Sequence, residues 1–190
     1  MDTKKFTQIL IDKLGTIFPP DQIIKEWDVG RDSGDAFDRR IYYTPQVDIA
    51  VGSFNIDQRS RLNNEKINAL VDKHKKVFLK LLYDISHLRE DQEYISYNNF
   101  LSMLNKNPRC FLAIEIENTK DRKRSLGDIV NASVMGKIGI VVPLGNEKYE
   151  ICVRIKRYFH YLKDVGKLKG YFKNVLIIEG IKLINSLSGL

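Results

Sequence analysis

The chain has 190 residues, of which 43% are hydrophobic and 29% are charged. This length corresponds to one ordinary domain with enough apolar side chains for a core, and the absence of an apolar run long enough to cross a bilayer argues against a membrane partner. Cys110 and Cys152 lack the spacing of a zinc site, and the first residues lack a signal-peptide core. We therefore expect reduced core cysteines in a cytoplasmic protein.

The net charge of +7 is concentrated in two segments. Lys120–Arg124 holds four cations and one acid, and residues 154–173 hold seven cations and one acid together with several aromatic side chains. Clustered cations among aromatic residues are typical of nucleic-acid binding, although solvated helix faces also carry them. The candidate contact residues are Arg122, Lys123, Arg124, Lys137, Arg154, Arg157, Lys163, Lys167 and Lys169.

The first elements in chain order are a helix and two extended segments. Apolar residues at helical spacing predict a helix over residues 3–17, which ends at a Pro-Pro pair. An extended segment at 23–29, a polar turn and a strand at 40–43 follow. Residues 45–51 alternate between apolar and other side chains, with Asp48 as a lone acid on the second face.

A long helical region separates Asp48 from the next predicted strand. Residues 57–90 carry an apolar face at helical spacing, and a shorter helix is predicted near 97–105. We interpret the region at about 57–106 as a helical insertion that packs on the core of a single domain spanning residues 1–190.

The segment Phe111–Lys120 predicts a strand with two acids on one face. Glu115 and Glu117 alternate with apolar residues, so both carboxylates point the same way. Charged side chains are rarely buried unless they are paired or bind a metal. The strand is therefore either an edge strand with a solvated face or part of a metal site.

The remaining pattern predicts a βαβ crossover. A basic turn leads to Ser125-Leu-Gly-Asp128, which resembles a capping box, and then to a helix ending near residue 136. Residues 138–142 form a continuous apolar run typical of a strand buried on both faces. This order implies a partly parallel sheet. Further predicted elements are a helix at 147–162, a strand at 175–178 and a helix at 181–187.

The acids and their surrounding elements resemble one known superfamily. Pro45-Gln-Val-Asp48, followed by Glu115-Ile-Glu117 on a buried strand, a helix and another buried strand, is similar to the core of the PD-(D/E)XK nucleases. The chain departs from that pattern because two residues separate Pro45 from Asp48 and because Glu117 stands in place of the usual lysine. The resemblance implies an α/β fold of the restriction-endonuclease-like type, with a mixed central sheet flanked by helices. It also implies a nuclease that depends on Mg²⁺ or Mn²⁺ and acts on DNA.

The chemistry of phosphodiester hydrolysis assigns a role to each of these residues. A divalent cation activates water and stabilises developing charge, and Mg²⁺ prefers oxygen ligands. The expected ligands are Asp48, Glu115 and the carbonyl of Ile116, while Glu117 would bind a second cation or hold the attacking water. Lys120 is the preferred catalytic lysine because it follows the strand directly, and Lys137 is the alternative.

Other candidate ligands have weaker support from the sequence. Glu26 is a possible additional ligand, although a surface acid beside a tryptophan is the more ordinary interpretation. His74, His87 and His160 have no metal-binding spacing, and His74 and His160 lie in Lys-rich or aromatic surroundings typical of surface residues.

Two other functions remain open at this point. A non-catalytic nucleic-acid-binding or assembly protein on the same fold would explain the glutamate in place of lysine. An RNA-directed nuclease would use the same acids. Double-strand cutting with one site per chain would imply a homodimer.

Overall fold

The computed structural model describes residues 2–28, 45–54, 61–87, 95–168 and 172–189. Within these ranges it contains seven α-helices and five β-strands. The helices are α1 (Thr3–Leu14), α2 (Arg61–Lys73), α3 (Lys75–His87), α4 (Tyr97–Met103), α5 (Arg122–Met135), α6 (Asn146–Asp164) and α7 (Gly180–Ser188). The strands are β1 (Ile23–Asp28), β2 (Gln46–Val51), β3 (Cys110–Glu117), β4 (Gly136–Pro143) and β5 (Val175–Ile177).

The five strands form one mixed sheet in the order β1-β2-β3-β4-β5. The β1–β2 and β2–β3 pairs are antiparallel, whereas β3–β4 and β4–β5 are parallel. The parallel pairs are connected through α5 and α6, so the predicted βαβ crossover is confirmed. The α/β class and the mixed sheet flanked by helices are therefore established.

Helices cover both faces of the sheet. The larger apolar cluster lies on one face, where β3 contributes Leu112, Ile114 and Ile116 and the partners come from α1, α2, α3, α4 and α7. A second cluster, built from α5, α6 and the strands β4 and β5, lies on the other face. All eight residues of β3 are buried, so a solvated edge strand is ruled out for Glu115 and Glu117.

Helix α5 lies unusually close to the sheet because Gly139 has no side chain. A Cβ at Gly139 would come within 2.8 Å of the carbonyl oxygen of Ala132 in α5. Such a distance is shorter than a van der Waals contact, so only glycine fits at this position. The close approach brings the sheet-facing residues of α5 against β3, beside the two buried glutamates.

Most of the predicted elements are confirmed with small shifts at their ends. The helical insertion is confirmed in its described parts, since α2, α3 and α4 all lie between β2 and β3. The polar turn and strand at residues 30–43, the remainder of the insertion and Lys169 lie outside the described residues. Cys110 and Cys152 are buried free thiols, as expected.

Two local predictions are wrong. Asp121, rather than Ser125, is the N-cap of α5, because its Oδ1 accepts a hydrogen bond of 2.9 Å from the amide of Lys123. Ser125 lies one turn inside the helix, where its hydroxyl donates to the Asp121 carbonyl. His74 is only 8% exposed, because its ring packs against Phe18 at a centroid distance of 4.5 Å.

Candidate functional site

The register of β2 and β3 places Asp48 beside Glu115. Ile49 pairs with Ile114, so the preceding residue of β2 lies next to the following residue of β3. Two hydrogen bonds of the Asp48 residue join the two strands at this point. The Asp48 amide donates to Glu115 Oε2 at 3.3 Å, and the Ile116 amide donates to Asp48 Oδ2 at 2.7 Å. The two acids that the sequence separates by 66 residues therefore meet across one strand pair.

Burial raises the pKa of both carboxyls. Desolvation is the main cause for Glu115, whose pKa rises to about 9, and the negative charge of Asp48 raises it further. Desolvation also raises the pKa of Asp48, and the hydrogen bond from the Ile116 amide opposes this rise. Without a compensating cation, Glu115 is therefore protonated at neutral pH.

Glu117 lies deeper than any other acid described. It is 1% exposed, and its Oε1 accepts a hydrogen bond of 2.6 Å from the Thr119 amide just beyond the strand. Its Oε2 and the Oε1 atom of Glu115 are both buried and have no hydrogen-bond partner among the described residues. Buried polar atoms are nearly always paired in folded proteins. The Asp128 carboxyl hydrogen-bonds the Glu117 side chain, so the Oε1 atom of Glu115 is the one that indicates a missing partner.

One face of α5 brings further polar side chains to the same place. Arg124, Asp128 and Asn131 are spaced at i, i+4 and i+7, which puts them on one side of the helix. Burial, then the charge of Glu117 and a hydrogen bond with the Glu117 side chain, raise the pKa of Asp128 to about 7. Asn131 hydrogen-bonds the Glu115 side chain, and it also donates to the Gln46 carbonyl at 3.4 Å. We call Asp48, Glu115, Glu117 and Asp128 the acid cluster.

A cation lies at the edge of the acid cluster. Arg124 is exposed, yet its positive charge acts on both Asp48 and Asp128 and lowers the pKa of each against the effect of burial. A guanidinium in this position can contact a phosphate while remaining close to the acids.

The backbone of β1 is strained opposite Asp48. Glu26 has a φ of 51°, a left-handed conformation that is uncommon for a residue with a side chain. The β1–β2 ladder pairs Lys25 with Ile49 and Trp27 with Val47, so the pair between them is skipped. Glu26 is exposed, and its charge raises the pKa of Asp48, which places it near the acid cluster. Strained residues of this kind often occur at functional sites.

The predicted cations lie in three different environments. Lys120 forms an exposed ion pair of 2.7 Å with Glu147 at the start of α6. Lys137 is 9% exposed and is the second residue of β4, at the end of the sheet away from Glu117. The exposed cations on α5 and α6 are Arg122, Lys123, Arg124, Arg154, Arg157, Lys163 and, just after α6, Lys167.

Two tyrosines lie among the cations of α6. Tyr158 and Tyr161 are 58% and 59% exposed, and their rings stack at a centroid distance of 6.5 Å. Large aromatic side chains with this exposure are accessible from solvent. The surface formed by these tyrosines and the neighbouring Arg154 is called the tyrosine surface below.

The donor chemistry around the acid cluster fits a hard divalent cation. In the described part of the chain, no group of three or more His, Cys, Asp and Glu side chains is already arranged to hold a metal ion. Mg²⁺ in proteins is commonly held by one or two carboxylates together with waters and substrate oxygens. Asp48 and Glu115 would supply two such carboxylates, and the buried Oε1 of Glu115 has no hydrogen-bond partner among the described residues.

Sequence reasoning missed Asp128 and Asn131 as site residues. The signal was present as the i, i+4, i+7 spacing with Arg124, but the capping-box interpretation placed Asp128 at the start of the helix. Because the true N-cap is Asp121, Asp128 lies in the middle of α5, where its charge interacts with Asp48, Glu115 and Glu117.

In the described residues no helix combines the length and apolar character required to cross a membrane.

Comparisons with known proteins add no family to this description. Neither the family models, nor the curated proteins, nor the solved structures include a match to this chain.

Proposed function

We propose that the protein is a nuclease that depends on a divalent cation and cleaves DNA, on a fold of the restriction-endonuclease-like type. The observation that carries this proposal is the contact of Asp48 with Glu115 across β2 and β3, where the buried Oε1 of Glu115 has no hydrogen-bond partner among the described residues. The resemblance of the acid-bearing strands to PD-(D/E)XK nucleases supports the same function. A cytoplasmic location and a homodimer for double-strand cutting belong to the proposal.

Each residue of the acid cluster has a task in this scheme. A bound Mg²⁺ or Mn²⁺ would supply an activated water and neutralise charge on the phosphate. Asp48 and Glu115 would hold it, and the Ile116 carbonyl would be an additional ligand. Asn131 and the Asp48 amide orient the Glu115 carboxylate through their hydrogen bonds. Glu117 would bind a second cation or hold the attacking water.

The positive charge needed at the phosphate would come from α5. Arg124 already acts on Asp48 and Asp128, whereas Lys120 is engaged with Glu147. We therefore assign to Arg124 the role that the resemblance gives to a lysine, and Lys120 becomes the second candidate. An arginine can bind a phosphate through two parallel hydrogen bonds.

The test is a cleavage assay with Mg²⁺ or Mn²⁺ on duplex, single-stranded and branched DNA and on single-stranded RNA. Wild-type protein should cut, whereas Asp48→Asn and Glu115→Gln should lose at least about a hundredfold in rate, because each removes a charged ligand. Asp12→Asn is the matched control, since Asp12 is an exposed acid on α1. Equal cutting by all four proteins would contradict the assignment, and cutting of RNA alone would favour the RNA-directed alternative.

A second function is favoured by the ion pair of Lys120 with Glu147. If neither Lys120 nor Arg124 assists catalysis, the same fold would bind nucleic acid without cutting it. Gel-shift titrations in the presence and absence of Mn²⁺ distinguish the two cases. Cation-dependent binding with no cleavage of any substrate would favour the non-catalytic protein.

A further inference from the structure

Helix α6 begins next to the strand that carries the two buried glutamates. The Leu144 amide donates a hydrogen bond of 2.8 Å to the Glu117 carbonyl, and α6 begins two residues later. In its first turn, Glu147 forms the ion pair with Lys120, which follows β3 directly. The first turn of α6 therefore lies where a nucleic acid bound at the acid cluster would leave it.

One side of α6 leads from this point to the tyrosine surface. Glu147, Arg154, Tyr158, Tyr161 and Val165 are separated by seven, four, three and four positions, which puts them in one row along the helix. Val165, the C-cap of α6, is 48% exposed and continues the apolar part of the row. The tyrosine surface thus extends a path that starts beside the acid cluster.

The charges along this path favour a polyanion. Residues 151–163 contain four Lys/Arg side chains and no acid. Arg154 and Arg157 precede Tyr158 and Tyr161 by four positions, so an exposed guanidinium lies one turn before each ring. A second copy of the same surface would bring like charges together, whereas a nucleic acid carries a negative charge at every phosphate.

The aromatic rings favour an unpaired strand over a duplex. Duplex DNA presents base edges in its grooves, whereas unpaired bases stack on aromatic side chains while cations follow the phosphates. From Glu147 to Tyr158 the helix rises about 17 Å, at about 1.5 Å for each of 11 residues. This rise corresponds to about five nucleotides of a stacked strand, at about 3.4 Å each.

We propose that the tyrosine surface binds a single-stranded tail of the DNA substrate, so that the preferred substrate is a duplex with such a tail. This inference rests on the proposed function, because that function places the cleaved bond at the acid cluster. The tail leaves the cluster at Glu147, and its bases stack on Tyr158 and Tyr161. Arg154 and Arg157 contact its phosphates.

Fluorescence anisotropy in the presence of a chelator tests tail binding while no cleavage takes place. The wild type should bind a duplex with a tail of about eight nucleotides at least ten times as tightly as the blunt duplex, and tails shorter than about five nucleotides should add little. The adenine analogue 2-aminopurine, whose fluorescence is quenched by stacking, should be quenched in the long tail when the protein binds.

Substitutions separate stacking from a general effect of charge. Replacing both Tyr158 and Tyr161 by alanine should reduce the affinity for the tailed duplex at least tenfold and leave the affinity for the blunt duplex unchanged. Replacing both by phenylalanine keeps the rings and should preserve the affinity and the quenching. Tyr83→Ala is the matched control and should bind as the wild type does, since Tyr83 is 57% exposed but lies on α3.

The proposal is overturned if the wild type binds tailed and blunt duplexes equally, a result that needs no variant to fold. It is also overturned if the double alanine variant, at unchanged Tm, binds the tailed duplex as the wild type does. A dimer that the alanine substitutions dissociate, with tail binding unchanged, would assign the surface to a second copy, and tighter binding of an RNA tail would overturn the assignment to DNA. Tail binding without cleavage of any substrate would contradict the proposed function alone.

Discussion

Replacing Glu115 by glutamine should stabilise the protein at alkaline pH while removing its activity. The pKa of Glu115 rises from an ordinary value of 4.5 to about 9, because the folded protein buries the carboxyl. The folded state then binds more protons than the unfolded chain between these two values. The contribution of Glu115 to the stability of the folded protein is therefore fully present below pH 4.5 and is lost progressively as pH rises towards 9.

The size of the effect follows from the shift. At pH 7.5 Glu115 is ionised in the unfolded chain and protonated in the folded protein. This pH lies about three units above the ordinary pKa of 4.5, so the difference lowers the free energy of unfolding by about 4 kcal/mol, at about 1.36 kcal/mol per unit. Glutamine removes this term but buries an amide whose hydrogen bonds are incomplete, at a cost of about 1–3 kcal/mol. The net gain should be about 1–3 kcal/mol, or a rise in Tm of roughly 3–10 °C for a chain of this size.

The assay is thermal unfolding of wild type and Glu115→Gln from pH 5 to pH 9 in the presence of a chelator. Near pH 5 Glu115→Gln should be no more stable than the wild type, because the cost of the buried amide outweighs the small ionisation term there. The two curves should cross as pH rises, so that the variant is the more stable protein at pH 8, and Asp12→Asn should follow the wild type throughout. Addition of Mn²⁺ should raise the Tm of the wild type and leave Glu115→Gln unchanged. The reasoning is refuted if Glu115→Gln is less stable than wild type at pH 8, or if the difference does not depend on pH.

Three further predictions concern the cations, the tyrosine surface and the core. Arg124→Gln should reduce the rate of cleavage at least tenfold. The Tm should change little because Arg124 is exposed. Rates measured at saturating substrate will show whether the loss lies in kcat. Replacing both Tyr158 and Tyr161 by alanine should weaken binding of single-stranded DNA about tenfold or more, at about 1–3 kcal/mol per stacked base, with a smaller effect on duplex DNA in the same gel-shift titration. Burial beside Phe18 lowers the pKa of His74, so below pH 6.5 the unfolded chain binds a proton that the folded protein does not, and the protein loses stability. His74→Phe should therefore lose less stability than the wild type between pH 7 and pH 5. A Tm profile parallel to that of the wild type over this range would contradict this.

The sequence predicts the sheet well where the signal is local. The alternation in β3 and the apolar run in β4 predict two buried parallel strands, and the short helix between them predicts the crossover. These features depend on neighbouring residues and on the short reach of the connection. The sharing of one face by Glu115 and Glu117 was predictable for the same reason.

The composition of the site was predictable only in part. The contact of Asp48 with Glu115 depends on the register of two strands that are far apart in the sequence, and local patterns do not determine such a register. The resemblance to a known superfamily was what suggested this contact. The pairing of Lys120 with Glu147 depends on where α6 begins, which the local pattern does not determine. His74 was expected at the surface because lysine-rich surroundings are usually exposed. The ring of His74 packs against Phe18 and Phe111, and these contacts between residues far apart in the sequence cannot be inferred from spacing alone.

Titration of Mn²⁺ into the metal-free protein at pH 8, followed by calorimetry, tests the central claim most directly. The wild type should bind the cation saturably, the affinity should fall at least tenfold in Asp48→Asn and Glu115→Gln, and Asp12→Asn should bind as the wild type does. Saturable binding that is equally strong in all four proteins, or no binding by the wild type at millimolar Mn²⁺, would contradict the account.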